Sequence, residues 1–128
     1  MRKCLLFLIF VSGSFITCKK IAGEGGLATI NGKVYAKDYD SSGFLVGEGY
    51  VPDEKVYISY GDHTTIDNDV NTSYNGEYTF EFLQKGTYSI FVYTKCDTCD
   101  LGTRAIIKKV EITERKQVIT LEDFNIDK

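Results

Sequence analysis

Apolar and polar residues alternate one by one through several short segments of this chain, most clearly from Glu77 to Phe82. Successive side chains of a β-strand point to opposite faces of a sheet, so this period of two predicts half-buried strands. Tyr78, Phe80 and Phe82 are expected to face the core, with the residues between them facing solvent. No segment shows the 3.6-residue period of a helix, so the sequence predicts an all-β fold.

Other segments show similar alternation, separated by turns rich in Gly, Asn and Asp. Strands are predicted at 27–37 with a bulge at Gly32, at 55–60, at 70–73 and at 87–94, and a closing hairpin is predicted from 104–113 and 117–124. Residues 38–54 are interpreted as a connection. About seven short strands at this spacing predict a seven-stranded Greek-key sandwich.

The N-terminus has the features of an export signal. Arg2 and Lys3 precede an apolar stretch over residues 5–15, which is shorter than the ~20 residues that a membrane-spanning helix needs and is typical of a signal peptide. Phe15-Ile16-Thr17-Cys18 resembles the lipobox of bacterial lipoproteins, in the loose form found in Bacteroidetes-type proteins. We therefore expect cleavage before Cys18 and acylation (palmitate) of that cysteine.

This interpretation divides the chain into three parts. Residues 1–17 form the leader, residues 18–26 form the lipidated cysteine with a flexible Gly-rich tether, and residues 27–128 form the β-sandwich domain. Lys19 follows the anchor instead of the Asp associated with inner-membrane retention. The expected location is the outer membrane, with the domain facing the periplasm or the cell surface.

Cysteine usage is consistent with an oxidising compartment. Of the four cysteines, Cys4 leaves with the leader and Cys18 carries lipid, which leaves the pair Cys96 and Cys99. A local disulfide within this CxxC is the first hypothesis. A redox motif is the second, although a βαβ pattern is lacking. Structural zinc is the third, although it wants four ligands.

The segment 76–88 carries the pattern G-x-Y-x-F-x-x-L-x-x-G-x-Y. It resembles the carboxypeptidase regulatory-like, or prealbumin-like (transthyretin-type), domain family. The resemblance implies a seven-stranded Greek-key sandwich of prealbumin-like type and no activity, because the fold mostly serves as an accessory module. Tyr78, Phe80 and Tyr88 are expected in the core, with Leu83 closing its end.

Catalysis finds little support in the residues. Hydroxyisourate hydrolases and intradiol dioxygenases of related architecture need more than one histidine, and this chain has only His63. His63 lies in a polar loop without a nucleophile motif, so an ordinary loop histidine is expected and a triad member is the minor alternative. We predict a non-enzyme with no cofactor.

The net charge of the chain argues against a nucleic-acid partner, and its acidic loop raises the question of a calcium site. The chain has 15 Lys and Arg, two of them in the leader, against 18 Asp and Glu, so the remainder carries a charge of −5. A nucleic-acid partner is not expected, because phosphate binding needs a concentrated basic face. Asp62, Asp67, Asn68 and Asp69 are interpreted as solvated turn residues, with calcium as the alternative. No metal site is predicted.

Aromatic residues also fall on strand faces opposite the predicted core: Tyr35, Tyr57, Phe91 and Tyr93. If those strands are neighbours, the rings form an exposed stripe, and such stripes bind partners. The alternative is that residues 38–54 fold over them. We predict a membrane-anchored, non-catalytic interaction or structural module that binds, if anything, through Tyr57, Phe91 and Tyr93. The alternative is a carbohydrate- or ligand-binding lipoprotein using that face, with an envelope protein or a glycan as partner.

Overall fold

The computed structural model describes residues 22–63 and 65–128. The predicted leader and Cys18 lie outside the described residues. The described chain forms nine strands and no helix, and it contains no helix long and apolar enough to cross a membrane. The strands are β1 (Glu24–Tyr39), β2 (Leu45–Tyr50), β3 (Lys55–Tyr60), β4 (Asn68–Asn71), β5 (Glu77–Leu83), β6 (Gly86–Lys95), β7 (Thr103–Ile112), β8 (Val118–Thr120) and β9 (Phe124–Asp127).

The first sheet, sheet I, is built around the long strand β1. One edge of β1 pairs antiparallel with β5 and then with β2, and the other edge pairs parallel with β8 and then with β9. The change of partner on the first edge occurs at Val34. Its N–H donates to the Gly76 carbonyl (2.9 Å) and its carbonyl accepts from the Val51 N–H (3.1 Å).

The second sheet, sheet II, has the order β4-β3-β6-β7 and is antiparallel throughout. The two sheets enclose an apolar core in a sandwich-like arrangement. Tyr78, Phe80 and Tyr88 are buried there, as the alternation predicted. The largest other buried side chains are Ile30, Val34, Val56, Ile58, Leu83, Ile90, Val92, Ile112, Phe124 and Ile126.

Two predictions about individual strand residues were wrong. Phe82 is 62% exposed, because its backbone takes a φ of +58° and Leu83 occupies the core position instead. Gly32 is not a bulge: it pairs regularly with Tyr78, and the irregular register lies near Ala28. A side chain at Gly32 would clash with the Tyr78 hydroxyl, so this glycine makes room for the ring.

The predicted closing hairpin was also wrong. β7 pairs with β6 in sheet II, whereas the chain after Gln117 crosses to sheet I and runs parallel to β1. The Gln117 side-chain carbonyl accepts the N–H groups of Thr113 and Glu114 (2.8 and 3.2 Å), so it closes a turn that directs the chain away from β7. The segment 38–54, expected as a connection, instead forms the hairpin between β1 and β2.

The chain is fixed by hydrogen bonds before the end of the segment interpreted as a tether. β1 begins at Glu24, and the Tyr88 hydroxyl accepts the N–H of Gly23 (2.9 Å). The backbone N–H of Gln84 donates to the Gly23 carbonyl (2.8 Å). The structured domain therefore begins closer to Cys18 than the glycine content suggests.

Candidate functional site

The two cysteines of the CxxC are joined in a disulfide, as the first hypothesis stated. Cys96 and Cys99 lie in the β6–β7 loop with their Cα atoms 5.4 Å apart. The Cys96 N–H donates to the Gly102 carbonyl (2.8 Å), and Gly102 supplies the positive φ (+73°) that returns the chain to β7. No helix precedes or follows the pair, so the helix N-terminus that activates redox cysteines is missing at this loop.

His63 lies in the β3–β4 loop and bonds to its neighbours in that loop. Its Nδ1 lies 2.6 Å from Thr65 Oγ1 and its Nε2 lies 3.2 Å from Asp67 Oδ2. The same Asp67 oxygen accepts the Tyr60 N–H (2.7 Å). Through these contacts the His63 imidazole and Asp67 hold the β3–β4 loop against β3.

The acidic residues of that loop do not converge on one point. Asp67 is occupied by Tyr60 and His63, while Asp69 lies 3.8 Å from Lys55. Over residues 22–63 and 65–128, no group of three or more His, Cys, Asp or Glu side chains is arranged to hold a metal ion.

Three aromatic side chains, Tyr57, Phe91 and Tyr93, form a contiguous cluster on the outer face of sheet II, hereafter the aromatic face. β3 and β6 bring them together by pairing Tyr57 with Phe91. The Tyr57 and Phe91 rings stack with centroids 5.2 Å apart, and the Tyr93 ring meets both edge-on at 5.5 and 6.0 Å. Tyr35 does not join them, because β1 belongs to sheet I.

Exposure differs among the three rings of the aromatic face. Phe91 is 7% exposed, Tyr57 is half-buried and Tyr93 is 42% exposed. Residues 38–54 do not provide the cover, because they form a hairpin in sheet I, so that alternative was wrong. Phe91 is instead enclosed by its aromatic neighbours and bordered by the β3–β4 loop, which lines a cavity with it.

That cavity is an open groove of about 380 Å³ along the aromatic face. Its apolar lining includes Phe91, Tyr93 and the half-exposed side chains of Ile66 and Ile107. Its polar lining comes from Ser59, Asp62, His63, Ser89 and Lys109. The Ser59 hydroxyl donates to the Thr65 carbonyl, which holds the β3–β4 loop as one wall of the groove. The arrangement offers apolar contact with a polar rim.

A second aromatic group lies on the outer face of sheet I, and the alternation pattern predicted only Tyr35 of this group to face outward. Tyr35 and Tyr50 pair across β1 and β2 with centroids 5.3 Å apart. The Tyr50 hydroxyl donates to Asp123 (2.7 Å), and this hydrogen bond raises the pKa of Tyr50. Lys33 Nζ lies 4.9 Å from the centre of the Tyr50 ring. Asp123 is 73 residues from Tyr50 in the chain, so no local pattern could have predicted the hydrogen bond between them.

Comparisons with known proteins add little to this geometry. No family model matches the chain, and no curated protein sequence matches it. Among solved structures, the fold is similar to a provisionally assigned carbohydrate-binding protein from Pseudomonas aeruginosa. That match has a TM-score of 0.48 and 19% identity, and it covers 79% of this chain and 91% of the other.

Proposed function

We propose that this chain is an outer-membrane lipoprotein whose β-sandwich is a non-catalytic binding module. Acylated Cys18 holds the domain at the membrane, and the aromatic face receives a partner from the cell envelope. The function is to keep that partner near the bilayer, with the domain facing the periplasm or the cell surface.

The sequence and the disulfide together support the location. A basic start, a short apolar stretch and Cys18 follow one another as a lipoprotein leader requires. The Cys96–Cys99 disulfide is typical of proteins that leave the cytoplasm. Acyl chains contribute about 0.8 kcal/mol per buried CH₂, so a multiply acylated cysteine anchors without a membrane-spanning helix.

We further propose kinship with carboxypeptidase regulatory-like, or prealbumin-like, domains and a Greek-key arrangement of the seven strands expected from that family. Burial of Tyr78, Leu83 and Tyr88 at the motif positions supports this assignment. So do the positive φ angles of Gly76 and Gly86 at the two motif glycines (+76° and +150°), which favour glycine. Such domains mostly serve as accessory modules, which suits a non-catalytic role.

The contacts of His63 support the non-catalytic part of the proposal. Both ring nitrogens lie near partners within the β3–β4 loop, Thr65 and Asp67. A general base acts on a nucleophile within hydrogen-bond reach. The hydroxyl within reach of His63 belongs to Thr65 in the same exposed loop, and the contacts of the described residues give that threonine no oxyanion hole.

The observation that carries the binding role is the exposed apolar groove on the aromatic face. Tyr93, Ile66 and Ile107 remain 42%, 49% and 57% exposed beside an already buried Phe91. Exposed apolar surface of this kind, rimmed by polar groups, marks interaction sites. The aliphatic lining favours a protein segment, because branched aliphatic side chains pack against apolar side chains and offer a ligand no hydrogen bonds.

Pull-down from solubilised envelope tests this proposal. The bait is the full chain carrying Tyr93→Ser and Ile107→Ser, compared with unmodified chain. We expect the double variant to keep its fold and to capture about tenfold less protein, because removing two apolar contacts weakens binding by about 1.4 kcal/mol. The matched control is Tyr74→Ser, which removes an 89%-exposed tyrosine outside sheet II. Equal capture by both variants would contradict the aromatic face as the site.

A carbohydrate ligand is the alternative occupant of the same groove. The observation that favours it is the polar lining, because Asp62 and Lys109 line the same groove as the partly exposed ring of Tyr93. A saccharide ring can stack on an aromatic side chain while its hydroxyls bond to such groups. A glycan array probed with the unmodified chain and the same two variants decides this point. Glycan binding that is lost with Tyr93→Ser and Ile107→Ser but kept with Tyr74→Ser would show that the groove binds carbohydrate.

A further inference from the structure

Three apolar side chains lie exposed in a row across one end of sheet I. They are Phe82 of β5, Leu27 of β1 and Val118 of β8, and they are 62%, 44% and 65% exposed. The register explains the row, because β5 pairs with one edge of β1 near Ala28 while β8 pairs with the other edge at Thr29. With neighbouring strands about 4.8 Å apart, the row is about 10 Å wide. These three residues are called the end patch.

The backbone turns Phe82 outward at an energetic cost. A φ of +58° is uncommon for any residue with a side chain and rare for a bulky one. Glycine or asparagine would adopt it more readily. Strained residues of this kind cluster at functional positions, where the strain presents a side chain. Here the strain leaves a phenyl ring in solvent and places Leu83 in the core.

The chain joins the domain next to the end patch. The Gly23 N–H donates to the Tyr88 hydroxyl (2.9 Å), and the Gln84 side-chain amide donates to the Glu24 carbonyl (2.7 Å). A side chain at Gly86 would approach the Ala22 Cβ to 2.7 Å, so Ala22 lies against the β5–β6 connection. This connection begins two residues after Phe82, because Leu83 ends β5.

Covalent length then limits how far the end patch can be from the acyl chains. Four peptide units separate Cys18 from Ala22, and an extended chain spans at most about 3.5 Å per residue, or about 14 Å in total. Leu27 is five residues beyond Ala22, which adds at most about 18 Å. The opposite end of β1, at Tyr39, is twelve strand residues further on, or about 40 Å.

Charged side chains of both signs lie around the end patch. Arg115 and Lys85 line a cavity of about 250 Å³ beside Leu83, and Lys116 lies in the same turn as Arg115. Acidic side chains near this end include Glu24, Glu81 and Glu114. A surface that carries charges of both signs gains little from anionic headgroups. Its attraction to a bilayer would come from apolar contact.

We propose that the end patch rests on the bilayer to which the acylated Cys18 is anchored, with Phe82, Leu27 and Val118 placed among the lipid headgroups. This inference depends on the lipid anchor in the proposed function. Exposed aromatic and aliphatic side chains favour the membrane interface. Because the end patch is on the outer face of sheet I, the aromatic face of sheet II then points away from the bilayer and stays accessible.

Fluorescence quenching in vesicles tests this contact. The chain carrying Val118→Cys is produced with its leader in a bacterium that processes lipoproteins, labelled with an environment-sensitive fluorophore and reconstituted into phosphatidylcholine vesicles that contain brominated phosphatidylcholine. The matched control is Val46→Cys, a 62%-exposed valine on β2 near the opposite end of β1. We expect brominated lipid to quench the label at position 118 and to leave the label at position 46 unchanged. The quenching should persist in 0.5 M salt, because screening weakens only charge-driven contact.

A second variant separates membrane contact from folding. Phe82→Asn replaces the strained ring with a residue that tolerates positive φ, so its unfolding midpoint should not fall. Quenching at position 118 should decrease at least about twofold, because Phe82 is one of the two native side chains of the end patch that remain in the labelled chain. A lowered midpoint with unchanged quenching would overturn the assigned role of Phe82.

Flotation of the same vesicles distinguishes failure of the contact from failure of the anchor. A chain that floats with the vesicles but shows equal quenching at positions 118 and 46 retains its anchor and overturns the end patch as the contact. A chain that does not float with the vesicles contradicts the acyl anchor at Cys18. The bilayer contact of the end patch, which was inferred from that anchor, is then contradicted as well.

Discussion

Tyr88 and Tyr78 come from one sequence motif, yet their hydroxyls have opposite surroundings. Both rings are almost completely buried between the sheets. The Tyr88 hydroxyl accepts the Gly23 N–H (2.9 Å) and donates to the Gln84 carbonyl (2.6 Å). The Tyr78 hydroxyl has no hydrogen-bond partner among the described residues. Burial of the ring and satisfaction of its hydroxyl are therefore separate properties.

The two hydroxyls do different work in the fold. Tyr88 closes the sandwich where the chain joins it, because its hydroxyl connects Gly23 to the β5–β6 connection. Tyr78 fills the space over Gly32, and its ring lies near that of Phe124 with centroids 5.9 Å apart. Burial raises the pKa of both phenols, and for Tyr88 the hydrogen bonds to Gly23 and Gln84 offset part of the rise.

The largest effect on stability is expected from Phe80→Ala, which measures ring burial without any hydroxyl. Phe80 is buried between the sheets, and its ring centroid lies 6.1 Å from that of Tyr78. Truncating a buried phenylalanine typically costs about 3–5 kcal/mol. Urea unfolding of the full chain should show a loss in that range. A loss below about 1 kcal/mol would contradict the burial of this side chain.

The face that a strand residue occupies was predictable from the sequence where the alternation of the pleat alone determines it. It was not predictable where the backbone interrupts that alternation. Alternation placed Tyr78, Phe80 and Tyr88 in the core because the pleat alone determines which face a side chain takes. It failed at Phe82, where a positive φ interrupts the pleat.

Sheet assignment required information that no short segment contains. The expected hairpin near the C-terminus failed because β8 and β9 pair with β1, about 90 residues away. The aromatic face shows both outcomes. Alternation identified Tyr57, Phe91 and Tyr93 correctly as outward residues. Which segment covers them could not be predicted, because that depends on the position of the β3–β4 loop and on which strands belong to sheet II.

Tyr88→Phe should cost about 1–3 kcal/mol, the second largest effect. The substitution keeps the ring but leaves the Gly23 N–H and the Gln84 carbonyl without this partner, and unsatisfied buried groups cost about that much. The measurement is urea unfolding together with hydrogen exchange at Gly23, where protection should decrease. Unchanged exchange would show that Gly23 is held by other contacts.

Alkaline pH should destabilise the protein through the same two tyrosines. Their folded-state pKa values lie above the ordinary value near 10, so the unfolded chain loses these protons first. Their contribution to stability is therefore complete below pH 10 and is lost as the pH rises through the folded-state values. Each contributes a loss of at most about 1.4 kcal/mol per pH unit. Between pH 9 and pH 11, unmodified chain should lose about 1 kcal/mol more than Tyr78→Phe, and equal losses would contradict ionisation of Tyr78 as a cause.

The smallest effect, and the one that tests the comparison most directly, is expected from Tyr78→Phe at neutral pH. Removing a buried hydroxyl that has no partner among residues 22–63 and 65–128 removes its desolvation cost, so the free energy of unfolding should stay the same or rise by up to about 1 kcal/mol. Tyr88→Phe is the matched control, because it deletes the same atom from an equally buried ring and should change stability in the opposite direction. Both variants are compared by urea unfolding at pH 7. A loss of more than about 1 kcal/mol from Tyr78→Phe would mean that its hydroxyl is bonded in solution and that the two tyrosines are alike.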